Sequence, residues 1–307
     1  MIISASVRTD IPAFYADWFF HRLAAGHVLV RNPFSGKPYS VDLHPHSVSA
    51  FVFWTRNFQP ILRRLPTLLQ FGRPFVVQFT ITAYPRQLEA AVIPPDKAIE
   101  QIRRLSSEVH PLTPVWRYDP IVFSSLTPAS FHIENFSRLA EALSGHTTEV
   151  AISFLQTYRK TRRNLDAAAR LHHLQWDDPP DARKLDLAAR RLDSARARRL
   201  TLTLCTQPQY LLPGLAEARC IDARRLSQVL GSPLDVPIKG TRPGCACHES
   251  RDIGEYNTCP HGCAYCYAVT HPRVALARYR AHSVPCESLL PIERPQPPGL
   301  PLFPPEH

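Results

Sequence analysis

The sequence has no run of about 18 apolar residues, so it predicts no transmembrane helix. Its first ten residues, MIISASVRTD, lack the basic and apolar segments of a signal peptide. No internal repeat is visible along the chain. These absences predict a cytoplasmic protein without a membrane partner. In that reducing compartment the eight cysteines are expected to be metal ligands, catalytic thiols or buried small residues rather than disulfides.

The 307-residue chain carries a formal net charge of +10, much of it from arginine. Such an excess favours contact with anions, and nucleic acid is one candidate partner. Many of the arginines fall between Arg183 and Arg199, in a stretch with a helical pattern. A solvated helix face is the simpler explanation of that stretch. Charge alone therefore does not decide the partner.

Short apolar runs rich in β-branched and aromatic residues alternate with helical patterns. The predicted strands are Met1–Ala5, Ala50–Trp54, Phe75–Ile81, Pro114–Tyr118, Val150–Leu155 and Leu200–Leu204. The predicted helices are Ala13–Ala25, Gln59–Gln70, Asp96–Glu108, Pro128–Leu143 and Asp181–Arg199. This alternation predicts an α/β protein with a mainly parallel sheet, in the form of a partial or closed (β/α) barrel. We expect residues 1–204 to form the barrel core.

Polar residues gather where the predicted strands end, and in a (β/α) barrel those ends form the active-site face. Asp10 has a simpler interpretation as a helix cap, and Arg117 with Asp119 could be a structural ion pair. The clustering on several strands nevertheless predicts a shared site. Its members are Ser4, Arg8, Asp10, Thr55, Arg56, Gln78, Thr80, Arg117 and Asp119.

The sequence after Leu204 is rich in cysteine and poor in regular pattern. We expect residues 205–283 to be a metal-binding segment that closes the barrel, followed by a proline-rich tail at 284–307. Four cysteines of this segment could bind a second iron–sulfur cluster or a zinc ion, or could be buried thiols. They are Cys205, Cys220, Cys245 and Cys247.

Cys259, Cys263 and Cys266 have the spacing C-x3-C-x2-C. Three thiolates this close can hold a cubane iron–sulfur cluster and leave one iron open for a small molecule. Zinc sites use similar spacings, so zinc stays an alternative. The pattern, with Tyr265 before the last cysteine, resembles the signature of radical S-adenosylmethionine enzymes. The longer string GEYNTCPHGCAYCYA is similar to the loop of spore photoproduct lyase and its relatives.

This resemblance implies a [4Fe-4S] cluster, S-adenosylmethionine as cofactor, a 5′-deoxyadenosyl radical and a reductant such as flavodoxin or ferredoxin. The implied catalytic residues are Arg8, Asp10, Arg117 and Asp119. The implied contacts to the cofactor come from Tyr265, Ser4, Thr55, Arg56, Gln78 and Thr80.

In that superfamily the cysteine loop follows the first barrel strand, whereas here it lies near the end of the chain. A circular permutation reconciles the two, with the loop placed before Met1–Ala5 in space. It predicts that the loop lies near Ser4, Thr80 and Arg117. The strings IISASVRTDIPAFY, FVFWTRN, WRYDPI and CACHESRDIGEYNTCPHGCAYCYA also resemble a bacterial family catalogued as domain of unknown function 1848.

Two other functions fit the sequence. One is a zinc- or iron–sulfur-containing protein that binds nucleic acid through its basic surface, without radical chemistry. The other is a barrel hydrolase or lyase that uses Asp10 and Asp119 as acid and base, with a structural zinc. The substrate of the radical enzyme is not predicted by any of these residues.

Overall fold

The computed structural model describes residues 1–240, 242 and 244–292. The strands of the described chain are β1 (Ile2–Ala5), β2 (His27–Arg31), β3 (Pro38–Asp42), β4 (Ala50–Thr55), β5 (Phe75–Thr80), β6 (Pro114–Ile121), β7 (Phe123–Ser124), β8 (Glu149–Phe154), β9 (Trp176–Asp177), β10 (Thr201–Leu204), β11 (Ala216–Glu217) and β12 (Ser250–Asp252). Eight of them form a central sheet in which every neighbouring pair runs parallel, in the order β11-β10-β8-β6-β5-β4-β1-β12.

Helices connect most of these strands, as parallel pairing requires. They are α1 (Ile11–Phe14), α2 (Ala16–Ala25), α3 (Gln59–Leu62), α4 (Leu65–Gln70), α5 (Pro95–Glu108), α6 (Ala129–Leu143), α7 (Arg159–His172), α8 (Asp181–Arg196), α9 (Ala223–Leu230) and α10 (Pro272–Ala281), with a 3₁₀ turn at Pro208–Tyr210. Strands β2 and β3 form an antiparallel hairpin, and β7 pairs antiparallel with β9.

The outer face of the sheet is strongly apolar. Phe51 and Phe53 of β4 contact Phe19 of α2, and Trp116 of β6 stacks on Phe136 of α6 at 5.0 Å between ring centroids. Burial of each such side chain contributes roughly 1.5–3 kcal/mol to stability. This aromatic layer holds the helices on the sheet and fixes which residues alternate onto the opposite face.

The inner face carries smaller and more polar side chains. Ile2, Ala50, Val52 and Val76 pack there against the segment that follows β10, rather than against long helices. Period-two alternation places Gln78 of β5 and Arg117 of β6 among the inward residues. The concave side of the sheet is therefore the side that the cysteine-rich segment covers.

The α/β class and the parallel sheet predicted from the sequence are confirmed, and all six predicted strands are present with ends shifted by a few residues. The sheet is open between β11 and β12 among the described residues, as in a partial barrel. The hairpin β2–β3, helix α7 and the edge strands β11 and β12 had no strong sequence signal.

Two predicted helices are divided in the structure. Gln59–Gln70 separates into α3 and α4, because Pro66 in the first turn of α4 lacks the N–H that a continuous helix needs. Ala13–Ala25 separates at Tyr15, whose φ of −129° is not helical. The predicted helix Asp181–Arg199 ends at Arg196.

The predicted solvated face of that last helix is wrong in one respect, because Arg191 is only 1% exposed and lies 4.9 Å from the ring centre of Phe136. Residues 293–307 of the predicted proline-rich tail lie outside the described part. No helix of the described chain combines the length and apolarity that crossing a membrane requires.

Candidate functional site

The cysteine loop begins where β12 ends, at the carboxyl edge of the parallel sheet. Strand β12 pairs with β1 in register, with Asp252 opposite Ser4. The Ile253 N–H then donates to the Ser4 carbonyl at 3.0 Å, which extends the pairing toward the loop. The C-terminal part of the chain thus lies directly beside its first strand.

The loop is bound to the segment that follows β5. The Ala91 N–H donates to the His261 carbonyl at 2.9 Å, and the Ala264 N–H donates to the Leu88 carbonyl at 2.9 Å. Glu89 and Cys263 form an isolated antiparallel bridge between these two hydrogen bonds. Two backbone hydrogen bonds and the bridge that they flank therefore hold the middle of the cysteine loop against the segment that follows β5.

Gly262 allows this close approach. Its φ is +70°, which favours glycine, and a Cβ there would lie 3.1 Å from the Cβ of Ala90. Two tyrosines hold the ends of the loop: Tyr15 donates to the Thr258 carbonyl at 2.7 Å, and Tyr267 donates to the Val7 carbonyl at 2.6 Å. The position of the loop is determined at both ends as well as in the middle.

Asp10 connects the loop to the ends of β1 and β4. Its carboxylate accepts hydrogen bonds from Thr55 Oγ1 at 2.7 Å, from the Arg56 N–H at 2.7 Å and from the Ala13 N–H at 2.9 Å. The fourth contact is with His261 Nε2 of the loop, at 2.7 Å. Asp10 therefore caps helix α1, as its simpler interpretation holds, and also anchors the cysteine loop.

Glu89 is the centre of a second buried network. Its Oε1 accepts from Arg56 Nη1 at 2.8 Å and also from the hydroxyls of Thr82 and Tyr265. Arg56 Nη2 donates to the hydroxyl of Tyr265 at 2.5 Å. Burial opposes the charge on Arg56, but Glu89 and Tyr265 together raise the pKa of Arg56 well above its ordinary value. The network fixes the tyrosine that precedes Cys266.

Asp252, the last residue of β12, organises the other side of the loop. Its carboxylate accepts from the hydroxyls of Ser4 and Ser6, each at 2.8 Å. Arg8 Nε lies 3.0 Å from Asp252 Oδ1 in a largely buried ion pair. Arg8 Nη1 is buried without a hydrogen-bond partner, so this guanidinium keeps one unused donor beside the loop.

The three thiols influence one another's ionisation. Burial, the charge of Asp10 and the charges of Cys266 and Cys263 raise the pKa of Cys259 well above its ordinary value. Burial also raises the pKa of Cys263 to about 12, although the charge of Arg56 opposes this. Three half-buried thiols of this kind remain protonated unless a bound cation compensates their charge.

Hydrogen bonding from backbone N–H groups opposes the rise in pKa of two of the cysteines. The N–H of His261 lowers the pKa of Cys259, and the N–H groups of Ala268 and Val269 lower that of Cys266. Such bonds stabilise thiolates and are a recurrent feature around cysteine ligands of iron–sulfur clusters. The donor set of the loop fits a thiolate-bound metal group.

A cavity of about 170 Å³ lies beside the Glu89 network. Its lining includes Arg56, Thr80, Thr82 and Tyr84 from the strand ends, together with Arg86 and Pro94. Thr80, predicted as a cofactor contact, therefore lies in the same region as Arg56.

The remaining predicted residues lie on the inner face and form a different group. Arg117 pairs with Asp119, and Ser153 also donates to Asp119. Gln78 Nε2 donates to the Cys220 carbonyl at 2.8 Å, and Arg117 Nη1 lies 2.9 Å from Cys220 Sγ. Arg117 and Asp119 therefore form the ion pair that the sequence offered as their simpler interpretation. Their cysteine neighbour is Cys220, not a member of the loop for which the sequence predicted them.

Within the described ranges, no three His, Cys, Asp or Glu side chains are arranged, as they stand, to hold a metal ion. A single ion requires its ligands around one point, whereas thiolates on a cubane cluster bind different irons and stand farther apart.

Thr82 lies where a predicted strand ends, a position that indicates a site residue. Glu89 and Asp252 are site residues that the sequence does not predict. Glu89 lies in an irregular segment, and Asp252 in a three-residue strand without an apolar run. Neither position had a pattern that would have distinguished it.

Fold and site define an α/β protein with a parallel sheet and a three-cysteine loop at its carboxyl edge. The chain belongs to the family described as Domain of unknown function (DUF1848), whose model matches residues 2–268. No curated protein matches the chain.

Two solved structures show a distant likeness. They are dihydropyrimidinase from Brevibacillus agri NCHU1002 (10% identity, TM-score 0.29) and D-hydantoinase from Bacillus sp. AR9 (10% identity, TM-score 0.28). Each match covers 66% of this chain, but only 45% and 43% of the respective structures. The chain thus spans less than half the length of either protein.

Proposed function

We propose that the protein is a radical S-adenosylmethionine enzyme whose [4Fe-4S] cluster is held by Cys259, Cys263 and Cys266. The observation that carries the proposal is the position of the loop. It follows an edge strand at the carboxyl end of a parallel sheet and is bound to the ends of β1, β4 and β5. Ligands of α/β sheets bind at this edge.

The order of strands favours the same conclusion. The loop follows β12, and β12 is the outermost strand next to β1. The strand that leads into the cysteine loop therefore lies beside β1, which supports the expected circular permutation. The radical enzymes that the loop resembles place their cysteines after the first strand of such a sheet, so the spatial arrangement would be shared although the chain order differs.

Cys259, Cys263 and Cys266 would hold the cluster. With an electron from an external reductant such as ferredoxin or flavodoxin, it would supply the reductive cleavage of S-adenosylmethionine into methionine and a 5′-deoxyadenosyl radical, which would take a hydrogen atom from the substrate.

Residues of the chain orient the cofactor and exclude water. The buried, unused Nη1 of Arg8 can bind a carboxylate, which is the chemistry of the methionine part of the cofactor. Tyr265 is held by Arg56 and Glu89. His261 is held by Asp10, which fixes the backbone between Cys259 and Cys263.

The arrangement disfavours an acid–base pair made from Asp10 and Asp119. Asp10 accepts four hydrogen bonds within the loop anchor, and Asp119 pairs with Arg117 on the inner face. Each carboxylate has a structural partner, and the two belong to separate networks. A nucleic-acid substrate stays a prediction that rests on the net charge alone.

The test is to purify the full chain anaerobically, measure iron and sulfide, and incubate it with dithionite and S-adenosylmethionine. We expect a brown protein that forms 5′-deoxyadenosine, detected by chromatography. In Cys263→Ala both the cluster and the product should be lost, whereas Cys286→Ala, which changes a cysteine outside the loop, should behave as wild type. A colourless protein with zinc in the loop, or an intact reduced cluster without 5′-deoxyadenosine, would refute the proposal.

A further inference from the structure

Four cysteines outside the loop converge on the inner face of the sheet. Cys205 directly follows β10, and its N–H donates to the Ile152 carbonyl of β8 at 2.9 Å. Cys220 follows β11 and is fixed through its carbonyl by Gln78. Cys247 lies in the connection to β12, where its carbonyl accepts from the Lys239 N–H at 2.9 Å. These residues come from separate parts of the chain, yet they meet in one place.

The four thiols form a continuous series of contacts. Cys205 Sγ lies 3.7 Å from Cys220 Sγ. Cys247 belongs to the same buried cluster as Cys205 and Cys220, and Cys245 packs against that cluster. None of the four forms a disulfide, so no disulfide accounts for the proximity.

The separation of the first pair has a specific meaning. In a tetrahedral zinc site the Zn–S bonds are about 2.3 Å long, so two ligand sulfurs lie about 3.8 Å apart. The Cys205–Cys220 distance of 3.7 Å is nearly this tetrahedron edge. Because no three ligands in the described part already surround one point, side-chain rotation must bring the remaining thiols onto the ion.

Donors around these sulfurs favour thiolates. Arg117 Nη1 lies 2.9 Å from Cys220 Sγ, and Arg242 Nη2 lies 3.6 Å from Cys205 Sγ. The Ile221 N–H donates to Cys247 Sγ at 3.5 Å. A divalent ion with four thiolates carries a net charge of −2, which the two guanidinium groups partly compensate. Thiols used only as packing groups would not need cationic donors.

We propose that Cys205, Cys220, Cys245 and Cys247 bind a single zinc ion that fixes the segment between β10 and β12. The segment has little regular structure of its own: the described residues between those strands contain the turn Pro208–Tyr210, the two-residue β11 and helix α9. A metal that joins its ends to its middle would hold it on the sheet, where it covers Ile2, Val52 and Val76.

The site can be tested independently of the radical function. The variant Cys259→Ala/Cys263→Ala/Cys266→Ala removes the loop ligands and leaves the four thiols intact. We expect it to retain about one zinc per chain, and after exchange with Co²⁺ to show the visible absorption of a tetrahedral cobalt thiolate. Cys220→Ser introduced into this background should reduce metal content at least fivefold, whereas Cys286→Ser should leave it unchanged.

The contrary results are equally clear. Iron and sulfide in the triple alanine variant would show that these four cysteines hold a second cluster instead. Absence of any metal would show that they are packing thiols. If the triple alanine variant retains zinc while wild type forms no 5′-deoxyadenosine, the zinc site is supported and only the proposed radical function is refuted. If Cys220→Ser fails to fold, the cobalt spectrum of the triple alanine variant still decides whether the four thiols bind a metal ion.

Discussion

The molecule carries two cysteine sets that differ in how their thiols meet. In the loop set, Cys263 and Cys266 influence Cys259 through their charges, and backbone N–H groups supply the donors to sulfur. In the inner-face set, Cys205 and Cys220 touch at 3.7 Å, and a guanidinium supplies a donor. The first arrangement suits thiolates that bind separate irons of a cluster, and the second suits thiolates that share one ion.

The two sets also differ in what their surroundings are built to hold. The loop set lies at the carboxyl edge of the sheet, near a cavity, and its three cysteines are partly exposed. The inner-face set is covered by its own segment and packs against the apolar residues of the sheet. Exposure to a ligand at one set and enclosure at the other indicate chemistry for the first and stability for the second.

Replacing one cysteine in each set by alanine is the strongest test of whether the loop set serves chemistry and the inner-face set serves stability. We expect Cys263→Ala to reduce 5′-deoxyadenosine formation at least 100-fold, because a cluster that lacks one of three ligands is not retained. Cys220→Ala should retain the loop cluster but lower the melting temperature by roughly 5–10 °C, as loss of about 3 kcal/mol would do in a chain of this size. Product analysis and thermal unfolding of the two variants give both values.

Cys286→Ala provides the reference for a cysteine outside both sets, and it should change neither quantity. The division would fail if Cys220→Ala lost the loop cluster as completely as Cys263→Ala does. It would also fail if Cys263→Ala were the less stable of the two.

Much of this arrangement could be predicted from the sequence. Apolar runs such as Phe75–Thr80 predict the central strands of the sheet. The spacing of Cys259, Cys263 and Cys266 indicates that they share a ligand. The resemblance of the loop also led to the expectation that it precedes β1 in space. Local pattern and local spacing were sufficient for these features.

Contacts between distant positions were not predictable in the same way. Asp252 joins Ser4 and Ser6 across some 246 residues, and Glu89 joins Arg56 to Tyr265. Neither carboxylate lies in a sequence pattern, so only the folded chain shows its role. Arg117 and Arg56 belong to two different networks, and this was not predictable for the same reason. Alternation along a strand predicts the face of the sheet on which a side chain lies, but not the residue with which it pairs.

The anchor of the loop can be tested through Glu89. Glu89→Gln removes the charge that compensates the buried Arg56, whose side chain is 10% exposed beside a glutamate that is 3% exposed. Leaving that guanidinium unpaired should cost about 3 kcal/mol of unfolding free energy. Denaturation with urea measures the loss, and the zinc content of the inner-face set should remain unchanged.

Glu100→Gln is the matched control, because Glu100 pairs with Lys97 on the surface of α5, where both side chains are more than half exposed. Surface pairs of this kind contribute about 0–1 kcal/mol. Equal losses in the two variants would mean that the Glu89 network does not anchor the loop.

The smallest expected effect is the pH dependence of the unfolding free energy that arises from His132 in the helices on the outer face of the sheet. It is independent of both cysteine sets. His132 of α6 is fully buried, with Nδ1 2.9 Å from the Tyr118 hydroxyl and Nε2 3.0 Å from the Val122 carbonyl. Burial lowers the pKa of His132 from 6.5 to about 3. The neutral ring therefore contributes its full stability above about pH 6.5, and that contribution is lost as the pH falls toward 3.

Between about pH 7.5 and pH 5.5, wild type should lose about 1.4 kcal/mol of unfolding free energy that His132→Gln does not lose, since glutamine has no proton to gain. Urea denaturation at several pH values measures the difference, and it should be independent of metal content because both proteins carry the same cysteines. His172→Gln changes an exposed histidine on α7 and should follow wild type. Parallel curves for wild type and His132→Gln would show that the acid response comes from another group, with the cysteine sets as the next place to look.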